Sequence, residues 1–185
     1  MLKNLYTLDK EKTMNTIDAI MKRKSIRKFT GQEISNEDIH TILKAGMAGP
    51  TAVNKRDWKF IAVTDKEVLA RMAEGNGRAA DPLKGAALGI LVCGDMEKAF
   101  ERARDFWVVD CSIACQNMIL AAEDLGIGSV WLGTWPNGAK MDAQKRNFDL
   151  PVNIYPHSII AFGYPAEDPD RSAKPEFEED KVIYY

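Results

Sequence analysis

A chain of 185 residues, 45% hydrophobic and 28% charged, can hold one domain with a sizeable core and has the make-up of an ordinary globular protein. Its net charge of −2 supplies no global field toward nucleic acid or an anionic membrane, and no apolar run approaches the roughly 18 residues of a membrane span. Cys93, Cys111 and Cys115 are an odd count in apolar contexts, which fits a reduced, cytoplasmic protein.

Residues 1–13 lack the apolar stretch of a signal peptide and read as an appendage to a single domain over residues 14–185. Ile17, Ile20 and Met21 then recur at helical spacing and lead into Arg23-Lys24-Ser25-Ile26-Arg27-Lys28-Phe29, four cations and a hydroxyl in seven residues. Taken alone this cluster reads first as a solvated basic patch. A phosphate is the sharper alternative, because Arg presents forked donors, Lys a point charge and Ser a neutral donor. Ser35-Asn36-Glu37-Asp38 has the form of a capping box and opens a helix that ends near Gly46 and Gly49-Pro50.

Trp58–Val63 is predicted as a strand, and Thr64–Glu67 caps a helix running to Gly75 or Gly77. Ala86–Cys93 is apolar on both faces and reads as a central strand. Asp105–Leu125 is the longest helical pattern, apolar almost all round, and is expected in a large core or an interface. A strand at Ser129–Leu132, a helix at Met141–Phe148 and a strand at Ser158–Phe162 follow. Residues 163–175 form a Pro-interrupted arm, and Lys181–Tyr185 has the composition of a terminal strand. The irregular interleaving points to an α+β fold, and an arm ending in strand-forming residues suits a dimer.

Several kinds of site are disfavoured. His40 reads as solvated and His157 as a loop or packing residue; Cys111 and Cys115 read as buried core, so no metal site is expected. Gly126-Ile-Gly128 follows a helix and opens a strand, the reverse of a dinucleotide-binding turn. No nucleophile elbow or P-loop occurs. Chemistry without these groups needs a cofactor, for which the protein supplies binding and orientation. Gly49–Asn54 offers hydroxyl, amide and backbone donors, though it also serves as a helix-ending turn. Trp131–Trp135 can equally be a strand end with two core tryptophans or a flat-ligand platform at its Gly-Thr step.

In order and spacing the chain resembles the nitroreductase family from Thr16 to Tyr185. Arg23–Phe29 is similar to the family's Arg-x-Ser-x-Arg-x-Phe element, and Gly49–Trp58 to its Pro-Ser-x-x-Asn-x-Gln-Pro-Trp element. Asp110–Gly128 is similar to its dimer-forming helix, with Trp131–Gly133 and Phe162–Pro165 completing the order. The resemblance implies a nitroreductase-like α+β fold with a central mixed sheet flanked by helices, and a homodimer whose arm reaches the partner. It implies FMN as cofactor, with NADH or NADPH as transient donor to flavin N5, and ping-pong reduction of a nitroaromatic, quinone or enone.

By position it assigns Arg23, Lys24, Ser25 and Arg27 to the FMN phosphate, ribityl chain and pyrimidine edge. Pro50, Thr51, Ala52 and Asn54 would approach from the other subunit. Leu132, Gly133 and Thr134 would lie near N5, where a backbone N–H of Gly133 or Thr134 stabilises the reduced ring. Thr51 replaces a more usual Ser. Arg56-Asp57 replaces Gln-Pro, which implies a more charged entrance. Glu176 stands near the arm's expected phosphate-binding Arg, leaving that role to Lys174, or to Arg171. The alternatives are an FMN storage or delivery protein with little turnover, and a flavin-free domain whose cations dock an acidic partner.

Overall fold

The structure, a computed structural model, describes residues 14–170 and 176–185. In chain order the elements are α1 (Thr16–Lys22), α2 (Asn36–Met47), β1 (Trp58–Val63), α3 (Lys66–Asn76), β2 (Leu88–Asp95), α4 (Phe106–Asp124), β3 (Gly128–Gly133), α5 (Gly138–Asn147) and β4 (Ile154–Gly163). Short 3-10 turns occupy Ala52–Asn54, Arg78–Gly85, Glu101–Ala103 and Glu179–Lys181. The helix starts follow local chemistry: the side chains of Asn15, Ser35, Asp65 and Asn137 each accept an N–H from the first turn of α1, α2, α3 and α5.

The strands form one sheet in the order β1-β2-β4-β3. β2 and β4 are central, and β2 is buried along its whole length, as its unbroken apolar run predicts. Side chains alternate between two cores. Leu88, Ile90, Val92, Ile160 and Phe162 pack with Trp107, Cys111, Cys115, Met118 and Ile119 of α4 and Ile42 of α2. Leu91, Cys93, Ile159 and Ala161 pack on the other face with Leu69, Met72 and Leu83. The α+β expectation therefore holds, with helices on both faces.

Two expectations are corrected. The sheet is not mixed among its four strands: every pairing is antiparallel, and the parallel relation among the described residues is the single bridge Ser25–Ser129. A longer parallel addition would need another edge strand. The candidate for it, Lys181–Tyr185, instead has one residue in a 3-10 turn and the rest without regular structure, all exposed. Its β-forming side chains find no sheet edge among the described residues. No helix among the described residues is long and apolar enough to cross a membrane.

Candidate functional site

The cationic segment is set in place by two missing side chains. Gly128 and Gly163 are register partners across β3 and β4. A Cβ on Gly128 would lie 2.7 Å from Ile26, and one on Gly163 2.9 Å from Phe29. The pair of glycines thus makes a notch that receives the apolar teeth of the segment. Backbone bonds fix the flanks: Ile26 N–H donates to Ser129 O at 2.8 Å, Thr30 N–H to Tyr164 O at 2.9 Å and Ala166 N–H to Lys28 O at 3.0 Å. With Ile26 and Phe29 turned inward, Arg23, Lys24, Ser25 and Arg27 remain half-buried or exposed on the outer side.

These cations border two cavities. One of about 120 Å³ is lined by Arg23, Lys24 and Ser25 with Gln116, Ser129 and Trp131. The other, about 430 Å³, is lined by Arg27, Lys28 and Phe29 with Asp81 and Pro82. Lys28 is ion-paired with Glu167 at 3.1 Å, both side chains well exposed, which separates it from the other cations. A further cavity, about 410 Å³ between the starts of α2 and α3, is lined by Glu33 and Asp65 and by none of the candidate residues. Charge-assisted donors on an open surface of this kind suit an anionic group such as a phosphate.

Strand register distinguishes the backbone of Gly133 from that of Thr134. Thr134 N–H donates to His157 O at 3.3 Å, so that residue pair is hydrogen-bonded across β3 and β4. In an antiparallel ladder the next pair, Gly133–Ser158, must then turn its backbone groups outward. Ser129 O, of the same parity, does face outward and accepts from Ile26. The Gly133 N–H consequently points from the exposed sheet edge, and the expectation is corrected for Thr134, whose N–H is engaged. Thr134 is buried, and its hydroxyl donates to Asn76 Oδ1 at 2.8 Å. Asn76 Nδ2 and Lys140 Nζ both donate to Gly133 O at 3.2 Å, fixing the peptide. Sequence reasoning missed Asn76 and Lys140. The Gly75-Asn76-Gly77 step signals only a helix end unless its tertiary partner is known.

The loop after α2 is held elsewhere. Ala52 N–H donates to both carboxylate oxygens of Asp110 on α4, each at 3.0 Å, and Arg56 N–H donates to Thr51 Oγ1 at 2.9 Å. Val53, Asn54 and Arg56 adopt positive φ of 44°, 58° and 51°. Non-glycine residues hold such angles at a cost of about 1–3 kcal/mol each, so the surrounding contacts must impose them. Pro50 and Asn54 are exposed, Thr51 and Ala52 half-buried, and none of the four lines a cavity beside the cations. Within one chain the loop and the cationic segment are not brought together. Leu132 is buried in the core and has the parity of Thr134, so its side chain packs inward and its backbone groups face β4 rather than the open edge. Lys174 and Arg171 lie outside the described residues; Glu176 is exposed.

The expected charge at the loop is also corrected. Arg56 is exposed and lies over the Trp58 ring at 5.3 Å, but Asp57 is fully buried. Burial, followed by the neighbouring Asp110 carboxylate, raises the Asp57 pKa from 3.8 to about 6. His157 occupies a bulge in β4, where β2 residues Val92 and Cys93 pair with Ser158 and Pro156 and skip it. It is buried against Trp107, Trp131 and Trp135. Ser112 Oγ donates its proton to Val108 O at 2.7 Å, so it can only accept from His157 Nε2 at 3.3 Å. Nε2 therefore carries a proton, and burial, which lowers the pKa from 6.5 to about 4, keeps the imidazole neutral near pH 7. The packing role read for His157 stands, within a strand rather than a loop.

These two groups oppose each other in the acid range. Asp57, raised, contributes stability that is full below pH 3.8 and is lost as pH rises through about 6. His157, lowered, contributes stability that is full above pH 6.5 and is lost as pH falls through about 4. Urea unfolding between these limits should show a shallow pH profile for the wild type. Asp57→Asn should leave the histidine slope, with stability rising with pH, and His157→Gln the opposite slope. Parallel profiles for all three proteins would contradict the assignment.

Comparison with known proteins gives a consistent result. Residues 20–93 and 75–164 match the nitroreductase family. The chain is 43% identical over 156 residues, 84% of its length and 80% of the relative's, to a Methanothermobacter thermautotrophicus protein whose name gives NADH dehydrogenase/NAD(P)H nitroreductase. An FMN-dependent nitroreductase from Clostridium difficile R20291 superposes with a TM-score of 0.83 at 30% identity, covering 91% of this chain and 98% of that one. The NADPH:FMN oxidoreductase of Vibrio harveyi, complexed with NAD+, gives 0.80 at 28% identity over 93% and 77%.

Proposed function

The chain belongs to the nitroreductase family, and on that footing we propose that it is an NAD(P)H-dependent flavin oxidoreductase that holds FMN on its cationic segment and reduces a small acceptor. The observation that carries this reading is the glycine notch. It fixes Ile26 and Phe29 so that Arg23, Lys24, Ser25 and Arg27 face outward, along the same sheet edge from which the Gly133 N–H points. Cations, a hydroxyl and a lone backbone donor are the donor set that a phosphate, a polyol chain and a ring nitrogen require.

When bound, FMN supplies hydride chemistry at its ring, which the side chains described above do not. The protein's part is positional. Arg23, Ser25 and Arg27, with Lys24 adjacent, hold the phosphate, the ribityl chain and the pyrimidine edge between them. Asn76 and Lys140 hold the Gly133 peptide, whose N–H is presented to the ring. Lys174 of the arm, or Arg171, adds to the phosphate site. Pro50, Thr51, Ala52 and Asn54 complete the site from the second subunit of a homodimer, in keeping with their absence from the two cavities beside the cations of their own chain. The exposed apolar side chains of Phe106, Val109, Phe177 and Ile183 suit burial in such a dimer. The three buried free thiols suit a reducing cytoplasm. Residues 14–185 act as one domain, with 1–13 as an appendage.

NADH or NADPH and the acceptor would use one site in turn, which predicts ping-pong kinetics with a nitroaromatic, quinone or enone as acceptor. The test is a visible spectrum of the protein after incubation with FMN, then anaerobic addition of each nucleotide. Bound yellow flavin that bleaches with NADH or NADPH, and parallel double-reciprocal lines with acceptor varied, are expected. A protein that stays colourless with FMN would refute the reading, and bound flavin inert to both nucleotides would favour storage or delivery.

A further inference from the structure

Asp57 and Asp110 form a buried acid pair behind the loop assigned above to the flavin. Both residues are almost wholly inaccessible, and neither Asp57 oxygen finds a donor among the described residues. Asp110 is already committed, with both oxygens accepting the Ala52 N–H. The Asp57 carboxyl lies within hydrogen-bonding reach of Asp110, and two buried carboxylates in contact cannot both remain ionised.

No cation is among the groups that act on Asp57. From α4 it meets Asp110 and the thiol of Cys111, and from the end of β2 it meets Asp95. Asp95 is itself satisfied by the Glu97 N–H and Asn153 Nδ2. The guanidinium of the adjacent Arg56 is drawn over Trp58. The unmatched pair sits under a loop in which Val53, Asn54 and Arg56 have positive φ, a backbone shape that needs external restraint.

We propose that Asp57 carries a proton in the closed loop, and that its carboxyl, by donating to Asp110, clamps the Thr51–Arg56 loop in its flavin-facing form. Loss of that proton sets two carboxylates against each other beneath Ala52, and the loop opens. Asp57 and Asp110 are thus positioning residues, and the proposal rests on the loop's place in the FMN site.

Hydrogen–deuterium exchange of the cofactor-free protein, read over residues 49–57 as protection relative to an unstructured peptide, tests the clamp. Opening of the loop should increase on the order of tenfold between pH 4.5 and 7 and level off above, because the closed form binds the proton more tightly than the open one. Asp57→Asn, whose amide can donate to Asp110 at every pH, should keep the loop protected throughout. Asp110→Asn should weaken the pH dependence without abolishing it, because it removes the opposing charge while burial, the larger cause, still favours the protonated Asp57, and its amide oxygen still accepts from Ala52. Wild-type protection that is independent of pH overturns the clamp, as does an equal rise in Asp57→Asn. A parallel titration of FMN fluorescence at pH 7 separates the two readings. Tighter binding by Asp57→Asn than by wild type supports the coupling, and equal or weaker binding overturns it. Failure of every protein to bind FMN overturns the cofactor reading alone, since the exchange measurement needs no flavin.

Discussion

Arg23→Ala is expected to weaken FMN binding by roughly ten- to a hundred-fold, measured by quenching of flavin fluorescence at fixed ionic strength. The substitution removes one charge-assisted interaction, worth about 1.5–3 kcal/mol. The effect should be local, because Arg23 lines a cavity with Lys24 and Ser25 and is only partly buried. Lys28→Ala is the matched control. It removes a cation from the same segment, but one committed to an exposed pair with Glu167, and such pairs contribute about 0–1 kcal/mol. Equal losses in the two variants would mean that general attraction, not a defined phosphate contact, holds the cofactor. Unchanged affinity in Arg23→Ala would move the phosphate elsewhere.

Phe162→Ala should destabilise the fold by about 3–5 kcal/mol in urea unfolding, the range for deleting a buried aromatic side chain. Phe162 is fully buried in central strand β4, among the largest side chains in the core under α4. It pairs with Leu88 on one side and Ser129 on the other. Because Ser129 in turn receives the bridge from Ser25, a cavity at Phe162 should loosen the cationic segment as well as the core. Phe162→Leu, which retains most of the volume, should cost much less. A loss below about 1 kcal/mol for Phe162→Ala would contradict the packing described.

Elements with a strong local signal were legible before any fold was known. The apolar run of β2, the Ser35 cap of α2, and the long apolar helix α4 all appear within a few residues of expectation. Their determinants are periodicity and capping, which short windows of sequence contain. The site was legible only as an ordered series of short segments, because each segment has a plausible structural role by itself.

What escaped notice depends on tertiary parity and burial. Gly133 and Thr134 differ in nothing that local sequence reveals; the hydrogen-bond phase of β3 against β4 distinguishes them. Asp57 looked like a surface charge beside Arg56, yet the chain turns it inward against α4. The Lys181–Tyr185 segment has β-forming residues, but composition cannot provide a sheet edge. The significance of Gly128 and Gly163 is likewise invisible until register makes them partners.

The same partnership has a consequence for biosynthesis. The notch combines a glycine that opens β3 with one that closes β4, and the segment it grips lies near the start of the described chain. A ribosome therefore releases Arg23–Phe29 long before the surface that orders it exists. Closing so long a loop is entropically costly until strand pairing has gathered its ends. The nascent chain must carry its four cations unplaced until β4 has emerged and docked between β2 and β3. Cofactor loading then becomes a late event in the protein's maturation, open only to chains that have completed the sheet.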